Sequence, residues 1–246
     1  MYLNGPRGAT IGVLSPEIVG SSMQLLLLLA VCAVATGSSN EPTGRPEQVH
    51  IALGDTTSAL AIGWVTLAGG AADCSRDSVI KFGNLDTQMD RWSHPGTVQR
   101  LDIAKKKKKR KEIELRTTFF HNAVLHGLAA GMTYYYSVGS AASADCWSDV
   151  HSFRMPGVST ARPLTVAIFG DLGIKRNEAV TCLVSGAQDG SLDLVIHAGD
   201  FAYDLSDHRG RKGDEWMRTM EPITAHIPYM VAPVCLCKHT LCALVM

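Results

Sequence analysis

The chain has 246 residues, 46% of them hydrophobic, with 23 basic side chains, 23 acidic side chains and 23 glycines; that balance excludes a disordered, collagenous or membrane-bundle protein and leaves room for one or two globular domains. A net charge of zero and a pI near 7.1 supply no global field to recruit nucleic acid or an anionic membrane, so any phosphate chemistry has to arise from a local site. Seven cysteines are too few for a disulfide-built scaffold, yet enough for one or two bridges in an oxidising compartment.

Residues 25–35 (LLLLLAVCAVA) are apolar throughout and close on a small-x-small pattern, Ala33-Val34-Ala35, of the kind signal peptidase accepts. The run is shorter than the ~20 residues a membrane helix needs. Residues 1–35 are therefore expected to be a signal peptide, and the protein to be secreted or delivered to an endolysosomal or vacuolar compartment without a stable membrane anchor. Met23 stands directly before the run; a start there would make residues 1–22 an extension. Residues 36–47 are polar, contain proline and lack periodicity, which reads as a linker.

From residue 48 to 157 the apolar signal has a period near two: 49–53 (VHIAL), 59–65 (ALAIGWV), 79–82 (VIKF), 119–125 (FFHNAVL) and 134–138 (YYYSV). Turn residues separate these short runs, so the segment is expected to form an antiparallel sandwich of the immunoglobulin or fibronectin III class. Trp64 is a core candidate. Cys74 and Cys146 are candidates for a bridge, and sequence does not decide their pairing. Residues 105–111 (KKKKKRK) interrupt the domain; adjacent positive charges repel and resist burial, so a solvated hairpin loop is expected and no nucleic-acid partner. His50, His121, His126 and His151 fall in the sandwich, where strand or surface roles explain them better than ligation.

After Met155-Pro156-Gly157 the pattern changes. Residues 164–169 (LTVAIF) and 192–197 (LDLVIH) are nearly continuous apolar strands flanking a helix-compatible stretch, 177–185. Such strands, buried on both faces, belong to a parallel βαβ unit, so a partial α/β domain is expected over 162–233. In such sheets ligands gather where the carboxyl ends of the strands emerge. Asp171 and Asp200 stand there, each after a glycine. If the strands are neighbours, two carboxylates meet, and two like charges held that close require a cation between them.

The segments Gly170-Asp171-Leu172-Gly173 and Gly199-Asp200-Phe201-Ala202-Tyr203 resemble the first two motif blocks, GDxG and GDxxY, of the purple acid phosphatases within the metallophosphoesterase superfamily. Pro46-Glu47-Gln48-Val49-His50, the stretch from Gly131 to Gly139, Trp147 to Phe153 and Gly213 to Ile223 resemble further family segments in the same order. The resemblance implies a mainly β, fibronectin III-like N-terminal domain followed by a calcineurin-like metallophosphatase domain that hydrolyses phosphate monoesters at acidic pH. It further implies Fe(III) with a divalent metal (Zn, Fe or Mn): Asp171 as a terminal iron ligand, Asp200 as the bridge between the metals, and Tyr203 as a tyrosinate on iron. Gly173, where generic metallophosphoesterases carry histidine, and Tyr203 both point to the purple enzymes.

Beyond Pro233 the resemblance stops. The family continues there into Gly-Asn-His-Glu and later histidine blocks, whereas this chain reads Val234-Cys235-Leu236-Cys237, and residues 234–246 are expected to be an aberrant tail, of a truncated or alternatively spliced product or of a gene model that reads into non-coding sequence. No catalytic residue is assigned beyond the three ligands, and an incomplete, weak metal site without turnover is expected of the chain as written. Two other readings compete: a non-catalytic secreted β-sandwich that serves binding or structure, and a generic metal-dependent phosphodiesterase. The tail's Cys235, Cys237, His239 and Cys242 are too compactly spaced for a usual zinc site.

Overall fold

A computed structural model describes residues 2–4, 10–12, 44–69, 73–106, 113–157, 163–173 and 178–232. The apolar run at 25–35, most of the expected linker, the centre of the basic run at 107–111 and the tail 234–246 lie outside these residues. Strands β1 (Tyr2–Asn4) and β2 (Thr10–Gly12) pair antiparallel. Eight more strands follow: β3 (Glu47–Leu53), β4 (Leu60–Leu67), β5 (Val79–Gly83), β6 (Arg91–Trp92), β7 (Thr97–Lys106), β8 (Ile113–Leu125), β9 (Thr133–Gly139) and β10 (His151–Arg154). They form two antiparallel sheets, ordered β3-β4-β8-β7 and β10-β9-β5-β6.

The period-two pattern does its work here. Leu60, Ile62 and Trp64 of β4 and Tyr134, Tyr136 and Val138 of β9 point inward and are almost fully buried, together with Phe82 and Phe153. Trp64 stacks on His121 at 5.2 Å, nearly parallel. His121 is itself held between Thr66 and Ser78, each at 2.9 Å. Ser78 spends its hydroxyl hydrogen on the Thr97 carbonyl, so it accepts from His121 Nδ1–H, and Thr66 donates to Nε2. Cys74 and Cys146, left open by the sequence, form a disulfide.

The long hairpin β7–β8 differs from expectation. Lys105 and Lys106 are strand residues, in register with Glu114 and Ile113, so the basic run begins inside the ladder and not in a loop. Strand β7 went unread because it is an edge strand exposed along most of its length, which leaves little hydrophobic alternation to detect.

The second layer contains β11 (Val166–Phe169), β12 (Leu172–Gly173), α1 (Glu178–Gln188), β13 (Leu194–Ala198), β14 (Phe201–Ala202), α2 (Arg211–Thr224) and β15 (Tyr229–Ala232). Strands β11, β13 and β15 are parallel neighbours; β2 joins antiparallel at the β11 edge through Gly12 and Ile168. Ala167, Phe169 and Val195 of the sheet pack with Val180 and Leu183 of α1 and with Trp216, Met220 and Ile223 of α2. Helix α2 carries Gly213 and an internal Pro222, both poor helix formers, which hid it from a propensity reading. Its signal is the spacing of Trp216, Met220 and Ile223, which puts one apolar stripe on the core.

A seam of hydrogen bonds docks α2 on the sandwich. The Glu221 carboxylate accepts the Val49 N–H at 3.1 Å, Thr224 donates to the Val49 carbonyl at 2.8 Å, and Tyr136 donates to the Ala225 carbonyl at 2.6 Å. Arg116 and Asp214 pair across the same boundary with side chains only 13% and 12% exposed.

Candidate metal centre

The two Gly-Asp corners lie side by side because their strands do. Phe169 of β11 is the register partner of His197 of β13, and beyond the corners Leu172 of β12 is the parallel partner of Phe201 of β14. The path from Phe169 to Leu172 takes three steps and that from His197 to Phe201 takes four. The second corner thus carries one extra residue, and Gly199, at φ +125, turns the chain to absorb it. Once register is restored, Asp171 and Asp200 each stand one residue ahead of a paired strand. Gly170 permits this approach: a Cβ there would lie 2.2 Å from the Ala198 carbonyl oxygen.

Tyr203 follows β14 and turns back toward the first corner. Its ring lies over Gly173, where an added Cβ would stand 3.8 Å from Cδ2, and desolvation together with the charges of Asp171 and Asp200 raises its pKa above the ordinary tyrosine value. The sequence-predicted residues Asp171, Asp200 and Tyr203 are therefore brought into one electrostatic group. Asp171, Tyr203 and Asp204 hold left-handed backbone conformations, with φ of 58, 45 and 56. For non-glycine residues such geometry costs on the order of 1–3 kcal/mol each and concentrates at functional sites.

Three further groups support the corners. The Trp216 indole donates to the Leu172 carbonyl at 3.3 Å, tying α2 to the first corner. Lys212 pairs with Asp204 at 3.3 Å, and the Leu205 carbonyl accepts from Gly213 N–H at 3.2 Å, which folds the chain after Tyr203 onto the start of α2. His197, buried under the second corner, is a site residue that sequence reading passed over. Its signal was present in the chain: a histidine inside an otherwise apolar strand, three residues before Asp200.

Among the described residues no three His, Cys, Asp or Glu side chains converge to hold a metal ion. The candidate set is instead two carboxylates and a phenol. All three donate oxygen, the preference of a hard trivalent cation. The field that keeps the phenol protonated is also the field a cation would reverse, so the donor set fits one hard ion.

Elsewhere, a cavity of about 340 Å³ opens along the α2 seam, lined by Glu47, Asp149, His151, Arg218, Glu221 and His226 among others. Glu47 is paired with Arg218 at 2.6 Å, and none of the three candidate donors lines it. Among the described residues no helix is long and apolar enough to cross a membrane.

Comparison with known proteins places this geometry in a context. A family model described as the purple acid phosphatase N-terminal domain matches residues 46–155. Acid phosphatase type 7 of Danio rerio is 33% identical over 204 residues, covering 82% of this chain and 42% of that protein. The Homo sapiens protein of the same name is 32% identical over 208 residues, covering 84% and 44%. Purple acid phosphatase PPD1 from yellow lupin (Lupinus luteus) seeds shares the fold at a TM-score of 0.55 with 19% identity, over 78% of this chain and 35% of that one. The chain spans less than half the length of the curated relatives it matches.

Proposed function

Because the chain belongs to the purple acid phosphatase family, we propose that Asp171, Asp200 and Tyr203 are the iron-side donors of an acid phosphatase centre that hydrolyses phosphate monoesters. The observation that carries this reading is the restored register of β12 with β14, which sets the two aspartates side by side and returns Tyr203 to Asp171. In this reading Asp171, Asp200 and Tyr203 would hold Fe(III), and the Asp200 carboxylate would also be available to a divalent Zn, Fe or Mn. A bound metal pair supplies electrostatic stabilisation of the phosphoryl group during displacement. The chain's own residues supply position. Gly170 and Gly199 let the two backbones approach, the Leu172 and Phe201 ladder fixes the spacing, and Trp216 holds the first corner against α2.

The Cys74–Cys146 bridge supports an oxidising compartment, in keeping with secretion or delivery to an acidic endolysosomal or vacuolar lumen. Hydrolysis of p-nitrophenyl phosphate at acidic pH by protein loaded with Fe(III) and Zn(II) tests the function. Activity lost in Asp200→Ala supports it. Colour on iron loading without hydrolysis would limit the claim to the iron side. A folded protein with neither would favour a non-catalytic sandwich, and colourless cleavage of bis-esters a generic phosphodiesterase.

A further inference from the structure

His197 is fully buried on β13 and touches both donor-bearing strand ends. Its Nε2 lies 3.2 Å from the backbone carbonyl oxygen of Asp200, and its Nδ1 lies 2.8 Å from the Tyr229 hydroxyl. A carbonyl only accepts, so Nε2 carries the hydrogen. In a neutral imidazole Nδ1 is then the acceptor, and the Tyr229 hydroxyl donates to it. The ring also packs on Phe169 of β11 at 4.8 Å, two residues before Asp171, and lies 6.3 Å from Trp216.

The contact with Asp200 falls on the corner that carries the extra residue. Gly199 N–H donates to the Ala232 carbonyl of β15 at 3.1 Å, and His197 holds the Asp200 carbonyl from the core side. Two strands therefore fix the Ala198–Gly199 peptide unit that enters the corner and the Asp200–Phe201 peptide unit that leaves it. A buried imidazole satisfied by a tyrosine and a carbonyl would serve a core equally well, but an ordinary core contact has no need to grip the one peptide from which a candidate metal ligand projects.

We propose that His197, oriented by the Tyr229 hydroxyl, is a positioning residue that holds the Asp200 corner in the geometry required for metal binding. The proposal rests on the reading of Asp171, Asp200 and Tyr203 as the iron-side donors. Residues that orient ligands in this way change metal affinity by roughly ten- to a hundredfold when removed. A residue that only fills the core changes stability and leaves the affinity of the folded protein alone.

The test is a titration of the whole 246-residue chain with Fe(III), followed by visible absorbance, with folding checked by near-ultraviolet circular dichroism. His197→Leu is expected to bind roughly ten- to a hundredfold more weakly. His197→Gln, whose amide N–H occupies nearly the place of Nε2–H, is expected to recover most of the loss. Nitrogen-15 NMR of the metal-free protein is expected to show the Nε2–H tautomer at His197. Unchanged iron affinity in folded His197→Leu, or an Nδ1–H tautomer, overturns the proposal. If His197→Leu does not fold, Tyr229→Phe keeps the ring and removes the hydroxyl; weaker binding with a mixed tautomer supports the proposal, and no change in either overturns it. Wild-type protein that folds and shows no iron band sinks the metal-centre reading itself, and with it the role of His197.

Discussion

The ring of Tyr203 lies over Gly173 of the first corner, 3.8 Å from where a Cβ there would stand, although 30 positions separate the two residues. The contact joins the two motif blocks. Desolvation and the charges of Asp171 and Asp200 raise the pKa of the phenol, and a cation bound at the corners would oppose that rise. Asp171 and Tyr203 both hold left-handed backbone conformations at these exposed corners.

Gly170 is expected to be intolerant of even one methyl group. A Cβ would stand 2.2 Å from the Ala198 carbonyl oxygen, a backbone atom that can move only by separating β11 from β13. Gly170→Ala should cost roughly 1–3 kcal/mol, in the range for overpacking, and should weaken Fe(III) binding more than a surface change of equal stability cost. Urea denaturation and iron titration of the same variant check both effects, and wild-type values in both would show that the corners need no close approach.

Acid should loosen the sandwich. Burial pushes His121 from its ordinary value near 6.5 down to about 4, and burial followed by repulsion from His226 does the same to His151. The unfolded chain takes up these protons near pH 6.5 and the folded chain only near 4, so unfolding binds protons in between. Stability is complete above about pH 6.5 and falls progressively toward pH 4. Each tenfold difference in proton affinity between the folded and unfolded chain is worth about 1.4 kcal/mol, so His121 alone accounts for roughly 3 kcal/mol of the fall. Melting temperature measured from pH 7 to pH 4 should drop, and His121→Gln should flatten the profile. A flat wild-type profile would mean that these rings are charged in the fold.

The Arg116 and Asp214 pair joins the β8 strand to the start of α2, where Gln48 also donates to Asp214 at 3.3 Å. Both charges are largely removed from water, so Asp214→Ala leaves a buried guanidinium uncompensated and should cost about 3–5 kcal/mol. The double replacement Arg116→Met with Asp214→Leu should recover most of that loss. A double-mutant cycle by chemical denaturation measures it, and a coupling near zero would show that the pair is solvated.

The sandwich was legible in sequence because alternation over five to eight residues, as in β4 and β9, reports a half-buried strand directly. The Asp171 and Asp200 corners were legible because each closes a continuous apolar run with glycine. What escaped depends on partners far along the chain. Strands β12 and β14 are two residues each, too short for any period, yet their pairing sets the spacing of the aspartates. Helix α2 hid behind Gly213 and Pro222, and its docking turns on contacts such as Tyr136 with Ala225, 89 positions apart. His197 read as one more strand residue: its place in an apolar strand near Asp200 was visible, but the Tyr229 hydroxyl that orients its ring lies 32 positions away.

The most direct test of the account is the visible spectrum of the folded chain as Fe(III) is added, for the wild type and for Tyr203→Phe. A broad charge-transfer band that grows to one equivalent in the wild type and is absent in Tyr203→Phe is the predicted result. No band in folded wild-type protein, or a band that survives Tyr203→Phe unchanged, would contradict the assignment of Asp171, Asp200 and Tyr203 as iron-side donors.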